Sequence, residues 1–237
     1  MAPPDTLPGR LLASFAAAGT LPRLTWYAAG PDGDERVELS GRVLANWVTK
    51  AANLLVTEAD SGPGTAVVLD LPVHWRTVVW ALASWTTGAR LAVVPDDAAD
   101  VVVTAAPEAA PDADLLLAVP LPALAMSWDG PVLPPGAVDA AAETLGQADV
   151  LGPVRTPAGE DPAWGEVTFD TLGAWAGDGS HGRALLTPED VTTLLRQALA
   201  VWLAGGSVVL VPPGADRGLL DRVSADERVD HRVDAAE

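Results

Sequence analysis

The stretch that decides the fold is GPGTAVVLDLPVHWRTVVWALASWTTGARLAVVP, residues 62–95. Its segment 65–71 is a nearly continuous apolar run, which is typical of a strand buried on both faces of a parallel sheet. Residues 74–87 carry apolar side chains at helical spacing, and Gly88 is placed to end that helix. Residues 89–95 form a second apolar run. Strand, helix and strand joined by short connections predict a βαβ unit with a right-handed crossover.

The segments around this unit continue the alternation of helices and strands. Ser40 is placed to cap a helix whose apolar residues from Leu44 to Leu55 form one stripe, and Lys50 lies off that stripe, so we expect it to be solvent-exposed. Thr187 and Pro188 have the properties of an N-cap and a first-turn proline for a helix over 188–203. Further helices are predicted at 7–18, 138–145 and 219–223, and further strands at 24–29, 35–40, 100–105, 113–119, 166–169, 183–187 and 207–212.

This order of elements predicts an α/β fold, with a mostly parallel sheet and helices on both of its faces. The chain carries no internal repeat and no clean linker, so we expect a single domain over residues 1–237. Its middle, residues 106–164, is rich in Pro, Ala and Asp and predicts long loops.

Composition limits the classes of partner. Lys and Arg together number 14 against 32 Asp and Glu, a formal net charge of −18, and a field of this sign repels nucleic acid. There is no cysteine, which excludes disulfides and thiolate metal sites. The N-terminus lacks the features of a signal peptide, and no apolar run reaches the roughly 18 residues of a membrane span. We therefore expect a cytoplasmic protein with no membrane partner.

Three stretches in order resemble the N-terminal part of the adenylate-forming enzymes, the superfamily of acyl-CoA synthetases, luciferases and adenylation domains of nonribosomal synthetases. They are ELSGRVLANWVTKAANLL (38–55), the 62–95 stretch and RALLTPEDVTTLLRQALAVWLAGGSVVLVP (183–212). The chain is also similar to short adenylate-forming-like proteins of unsettled role, and residues 106–164 match poorly. The positions that carry the resemblance in the 62–95 stretch are Gly62, Gly64, Leu71, Pro72, Trp75, Gly88, Ala89 and Pro95.

The resemblance implies a phosphate-binding loop, for which GDGSHGRALLT, residues 177–187, is the candidate. Gly179, Ser180 and Gly182 are similar to the Ser/Thr/Gly-rich loop of the family, which ends in Pro-Lys-Gly. However, His181 stands where a Thr is usual and Asp178 adds a negative charge. No Pro-Lys follows, and aligning 183–188 with the later family strand leaves no room for the loop. We therefore expect an exposed turn here.

The candidate cofactor-binding residues are Gly179, Ser180 and Gly182, together with Pro72 and His74 at a strand-to-helix turn where α/β folds often bind ligands. The cofactor itself stays open: ATP or AMP is compatible, without turnover. No catalytic residue and no metal site are assigned, because the three histidines are scattered and Asp96, Asp97 and Asp100 are typical of a solvated turn. Most of the nine tryptophans are expected in the core, although Trp80 and Trp85 would also suit a subunit interface.

Three functions remain open. The first is a non-catalytic homologue with a binding or assembly role, because the aromatic-Gly-x-Thr-Glu segment, the ribose Asp and the C-terminal lysine of the family have no counterpart. Lys50 is the only lysine. The second is a minimal AMP-binding or acyl-adenylating enzyme completed by a partner chain. The third is a structural homo-oligomer. A small acyl or nucleotide ligand is the expected small-molecule partner.

Overall fold

The computed structural model describes residues 5–28, 35–92, 99–110, 112–122 and 124–233. The helices are α1 (Leu7–Ala18), α2 (Gly41–Ala59), α3 (Trp75–Thr87), α4 (Ala140–Gly146), α5 (Leu172–Ala176), α6 (Val191–Leu203) and α7 (Arg217–Asp226). The strands are β1 (Pro22–Ala28), β2 (Glu35–Ser40), β3 (Ala66–Asp70), β4 (Arg90–Ala92), β5 (Val101–Thr104), β6 (Leu115–Ala118), β7 (Val138–Asp139), β8 (Pro162–Trp164), β9 (Val167–Thr168), β10 (Arg183–Leu186), β11 (Ser207–Leu210) and β12 (His231–Val233).

The central βαβ unit is formed as the sequence predicts. β3 pairs in parallel with β4, in the register Val67↔Leu91. α3 connects them and begins at His74, whose side chain accepts a hydrogen bond from the Arg76 N–H. It ends at Gly88 in the left-handed region (φ 89°), which glycine adopts without strain. Every residue of α3 is buried, so this helix is packed on all sides.

The described strands form two sheets where the sequence predicted one. The seven-stranded sheet has the order β7-β6-β5-β3-β4-β8-β9 and is parallel except for the β8–β9 pair. The five-stranded sheet has the order β12-β10-β11-β1-β2, in which only β2 is antiparallel. The α/β class and the mostly parallel pairing are confirmed.

One hydrophobic core joins the two sheets. It contains Val67 and Val101 from the seven-stranded sheet, Leu24 and Val208 from the five-stranded sheet, and the buried faces of the helices between them. The opposite face of the five-stranded sheet packs against α7 through a smaller cluster that includes Leu219 and Val223. Helices therefore cover both faces of the five-stranded sheet, as predicted.

Two predictions about local structure are wrong. α6 begins at Val191 with Asp190 as its N-cap, because the Asp190 carboxylate accepts a hydrogen bond from the Thr193 N–H at 2.7 Å; Thr187 and Pro188 lie before the helix. Lys50 is not solvated: its ammonium donates to the carbonyls of Leu145 and Gln147 and pairs with Asp149 at 3.0 Å. The single positive charge of the lysine therefore fastens the 145–149 segment to α2.

Other details refine the expected middle and core. In the segment 106–164 the predicted strand and helix are present as β6 and α4, and β7 and β8 lie there in addition to them. Trp80 and Trp85 are buried within the chain, and the Trp85 indole donates to the Ala163 carbonyl at 2.9 Å, so both belong to the core. Among the described residues, no helix has the length and apolar character needed to cross a bilayer. Pro95, Asp96 and Asp97 lie outside the described residues.

Candidate functional site

Pro72 and His74 lie in the turn that follows the carboxyl end of β3. The Pro72 carbonyl accepts a hydrogen bond from the Thr77 hydroxyl at 2.6 Å, and the His74 Nδ1 accepts one from the Arg76 N–H at 3.2 Å. The His74 ring is 4% exposed and meets the Trp26 indole edge-on, with 4.6 Å between ring centroids. Both residues thus help to start α3.

The His74 imidazole is held in its neutral form. Burial, together with the nearby Arg76 charge, lowers its pKa to about 3, although a backbone hydrogen bond with Leu121 opposes the shift. A neutral ring whose Nδ1 is already occupied as a helix cap has no free lone pair for a proton transfer at neutral pH. The described contacts of His74 are therefore those of a structural residue.

The glycine loop, residues 177–182, lies at the amino end of β10, in the five-stranded sheet. Gly179, Ser180 and His181 are exposed, which agrees with the predicted turn. The Gly179 Cα packs against the backbone of Ala200 in α6, and the His181 Nδ1 lies 3.0 Å from the Ala204 carbonyl oxygen. Gly182 adopts φ +115°, beside the Asp230 carboxylate.

The groups that contact Gly179, His181 and Gly182 are hydrogen-bond acceptors, which do not suit a phosphate. The loop's partners are carbonyl groups at the C-terminal end of α6, the negative end of the helix dipole. The Asp230 carboxylate already accepts a hydrogen bond from the Arg183 N–H at 2.6 Å. Phosphate loops use the opposite arrangement, in which free N–H groups and a helix N-terminus face the anion.

The two halves of the candidate site do not come together. β1, β10 and β11 run parallel, and their register places Trp26 and Leu186 at the level of Leu210. His74 contacts Trp26 near the carboxyl ends, whereas the glycine loop precedes Arg183 at the amino ends. A strand length of about 10 Å separates these levels. Whether Gly179, Ser180, Gly182, Pro72 or His74 contacts a ligand stays a prediction.

A cavity opens at the carboxyl edge of the seven-stranded sheet, where α/β folds often bind ligands. It has a volume of about 390 Å³ and lies beyond β5 and β6, between the segments 105–108, 119–122 and 128–131. Leu121, the backbone partner of His74, is part of its wall. Among the described residues that line it, Glu108 and Asp129 carry charge, and none is Lys or Arg. We call it the carboxyl-edge cavity.

Arg76 is the buried cation nearest to this edge, and sequence reasoning did not select it. Its guanidinium Nη2 donates to the Ala125 carbonyl at 2.7 Å, and its Cζ lies 4.6 Å from the Trp75 ring centroid. Burial lowers the pKa of Arg76 to about 10, against the opposing charge of Asp129. The available signal in the sequence was that Arg76, in the first turn, is the only charged residue of α3.

No metal centre is apparent in the described ranges, where no three His, Asp or Glu side chains are grouped to hold an ion. No family model matches the chain. A protein of Mycobacterium tuberculosis described as a TIGR03089 family protein is 33% identical to it over 251 residues, which covers 97% of this chain and 98% of that protein. The chain belongs to the TIGR03089 family.

Solved structures show what fold this TIGR03089 family member has. The N-terminal subdomain of Klebsiella oxytoca NpsA, in complex with 3-hydroxybenzoyl-AMSN, matches 96% of the chain with a TM-score of 0.66 at 14% identity. NpsA in complex with 3-hydroxyanthranilyl-AMSN matches the same share with a TM-score of 0.68 at 13% identity. The fold is that of the N-terminal subdomain of adenylate-forming enzymes, which confirms the predicted resemblance.

The match does not extend over the whole of either neighbour. The chain spans 59% of the NpsA subdomain and 47% of the longer NpsA chain. At such low identity the likeness concerns the fold alone.

Proposed function

We propose that the protein is a non-catalytic homologue of adenylate-forming enzymes that binds a small neutral or cationic ligand in the carboxyl-edge cavity. The observation that carries the proposal is the charge of the cavity wall, whose described residues include the carboxylates of Glu108 and Asp129 but no Lys or Arg. Its volume of about 390 Å³ lies within the range of small-molecule sites, roughly 300–1,000 Å³.

The same wall is unsuited to a triphosphate. Adenylation develops negative charge on the α-phosphate, and enzymes stabilise it with N–H donors, a metal ion and cations. Carboxylates at the cavity repel such a ligand, and the glycine loop lies a strand length away against the negative end of α6. A pyrophosphate-releasing step therefore lacks its stabilising groups at this edge.

The catalytic question is tested by ATP–pyrophosphate exchange. The purified protein, supplied with Mg²⁺ and a mixture of aliphatic and aromatic carboxylic acids, is expected to give exchange no faster than a protein-free blank. An adenylating enzyme run in parallel controls the assay. Exchange that rises in proportion to the amount of this protein, with any one acid, overturns the proposal and favours the minimal enzyme instead.

The ligand class is tested with two probes of matched size and opposite charge, benzylamine and benzoate. We expect benzylamine to raise the melting temperature more than benzoate, because Glu108 lines the cavity and its negative charge attracts a cation. We expect the Glu108→Gln variant to show a smaller difference in melting temperature between the two probes. Glu58→Gln, which removes the same charge at a separate cavity, leaves it unchanged. Tighter binding of benzoate than of benzylamine contradicts the proposed ligand class.

A further inference from the structure

Trp128 contributes an aromatic side chain to the wall of the carboxyl-edge cavity. Its indole Nε1 donates a hydrogen bond to the Pro131 carbonyl at 2.6 Å, and its backbone N–H donates to the Asp139 carboxylate at 2.8 Å. A Cβ at Gly130 would lie 2.4 Å from the indole Cζ2, so this glycine packs closely against the ring. The only polar atom of the side chain is therefore occupied, and the indole offers a ligand its carbon and π surface.

Most backbone N–H groups of the described wall are unavailable to a ligand. Three of the lining residues are prolines, which have no N–H. Four others already donate their N–H groups to acceptors within the chain: Ala105, Ala106, Val119 and Trp128. Anions are bound by free N–H groups or by cations, so this wall offers an anionic group little to bind.

Carbonyl groups of the wall are engaged as well. The Ala106 and Pro122 carbonyls each accept a hydrogen bond at 3.0 Å from the N–H three residues later. The Pro131 carbonyl accepts the indole N–H of Trp128. An ammonium group that carries N–H bonds needs acceptors when it leaves water, because an unpaired buried donor is costly. The described wall therefore favours a cation that has no N–H to satisfy.

Negative charge at this wall acts without a tight hydrogen-bonding site. Glu108 is exposed, and its side chain forms no ion pair with any described residue. Asp129 is also exposed, but its charge already acts on the buried Arg76 guanidinium. Glu108 therefore supplies the charge that is free to attract a ligand, and this attraction does not require contact. The Trp128 ring attracts a cation through its quadrupole.

We propose that the ligand of the carboxyl-edge cavity carries a quaternary ammonium group, bound by the Trp128 indole through a cation–π interaction and attracted by the Glu108 carboxylate. This inference rests on the proposed function, because it specifies the ligand class of the same site. The methyl groups of such a cation form no strong hydrogen bonds and pack against proline and indole carbon. A volume of about 390 Å³ accommodates this head group with a short substituent.

The wild-type protein tests the ligand class with benzyltrimethylammonium and benzylamine. The two probes share the ring and the positive charge and differ in their N–H bonds. Calorimetric titration at constant ionic strength is expected to show that benzyltrimethylammonium binds about fivefold more tightly, because it has no N–H that loses its water. Benzylamine that binds as tightly or more tightly overturns this inference and leaves the proposed function standing. Binding of neither probe overturns both.

Substitution of the indole tests its part in binding. The probes are choline and 3,3-dimethylbutan-1-ol, a neutral molecule of the same shape with carbon in place of nitrogen. Trp128→Leu is expected to weaken choline binding about fivefold and to change the binding of the alcohol less. Trp128→Phe keeps an aromatic face and is expected to retain part of the preference for choline. Equal losses for choline and the alcohol in Trp128→Leu contradict the cation–π interaction.

Trp175→Leu is the matched control. Trp175 is a half-buried indole that stacks on Trp164 with 5.9 Å between ring centroids, and it does not line the carboxyl-edge cavity. We expect its removal to leave the choline dissociation constant unchanged, when each variant is titrated well below its melting temperature. Equal weakening in Trp175→Leu and Trp128→Leu overturns the assignment. If Trp128→Leu does not fold, the two benzyl probes and Trp128→Phe still decide the inference.

Discussion

At the scale of single residues, Glu227 is a buried carboxylate that three side chains share as a hydrogen-bond acceptor. Its side chain is 7% exposed and accepts hydrogen bonds from the Tyr27 hydroxyl at 2.6 Å and from Arg36 Nε at 2.8 Å. Arg183 also pairs with it and donates to the Thr25 hydroxyl at 2.9 Å. The group ties the C-terminal end of α7 to β1, β2 and β10.

The Glu227→Gln substitution is expected to destabilise the protein by about 2 kcal/mol, less than the roughly 3–5 kcal/mol of a fully buried ion pair, because Arg36 stays partly solvated. The amide keeps the shape of the side chain but leaves two guanidinium groups without their shared counterion. Urea unfolding at pH 7 measures the loss. Glu38→Gln removes the other, more exposed partner of Arg36 and is expected to cost less than about 1 kcal/mol. Equal losses for the two variants would contradict this account.

The same carboxylate makes stability depend on acid. Burial by itself would raise the pKa of Glu227, but the hydrogen bonds from Arg36, Tyr27 and Arg183 outweigh it and lower the pKa from its ordinary value of 4.5 to about 2. Because the folded-state pKa lies below the unfolded one, this stabilisation is complete above pH 4.5 and is lost as the pH falls towards 2. The free energy of unfolding of Glu227→Gln should therefore fall less steeply over this interval.

At the scale of elements, the glycine loop is a packing contact between the start of β10 and the end of α6. A Cβ at Gly179 would overlap the backbone carbonyl of Ala200, and one at Gly206 would approach the Gly182 carbonyl oxygen at 2.6 Å. The obstacle in both cases is backbone and cannot rotate away. Glycine is required here by close approach of two segments, whether or not a ligand binds.

Gly179→Ala tests this packing role. The substitution is expected to destabilise the chain by about 2 kcal/mol, because the loop must move away from α6. Gly146→Ala is the matched control, since a Cβ at Gly146 meets no atom within 4 Å and its φ is not in the left-handed region. Both are measured by thermal and urea unfolding. A Gly179→Ala protein as stable as Gly146→Ala would show that the loop has room to adapt.

At the scale of the whole molecule, the continuous core predicts one folding unit. Val67 and Val208 are fully buried in different sheets and belong to the same hydrophobic cluster. Loss of either sheet would expose the helices that both sheets cover, so we expect neither sheet to be stable without the other. That residues 1–237 form a single domain therefore stays a prediction.

Equilibrium unfolding in urea tests whether the two sheets unfold as one unit. Tryptophan fluorescence and far-ultraviolet circular dichroism are expected to give coincident transitions with one midpoint. Val67→Ala and Val208→Ala, which create similar cavities in the two sheets, should each lower that common midpoint without splitting it. A variant in which one probe changes at lower urea than the other would indicate two separate units.

The sequence by itself determined those helices, strands and caps that are stabilised by interactions within one short segment. The βαβ unit over residues 62–95 was readable because apolar runs, helical spacing and Gly88 each specify their own short segment. The Ser40 cap follows from one side chain and its nearest backbone, since the hydroxyl accepts a hydrogen bond from the Val43 N–H at 3.3 Å. The deficit of positive charge is likewise a property of composition and is independent of the fold.

Only the tertiary structure decided what depends on contacts between distant segments. β1 pairs with β11 in the register Leu24↔Val208, and this pairing divides the strands into two sheets and sets the glycine loop apart from His74. Lys50 is half-buried and Arg76 is buried although both are charged, and carbonyls about 50 to 100 residues away accept their hydrogen bonds. Periodicity describes which face of an element is apolar and does not state which other element covers it.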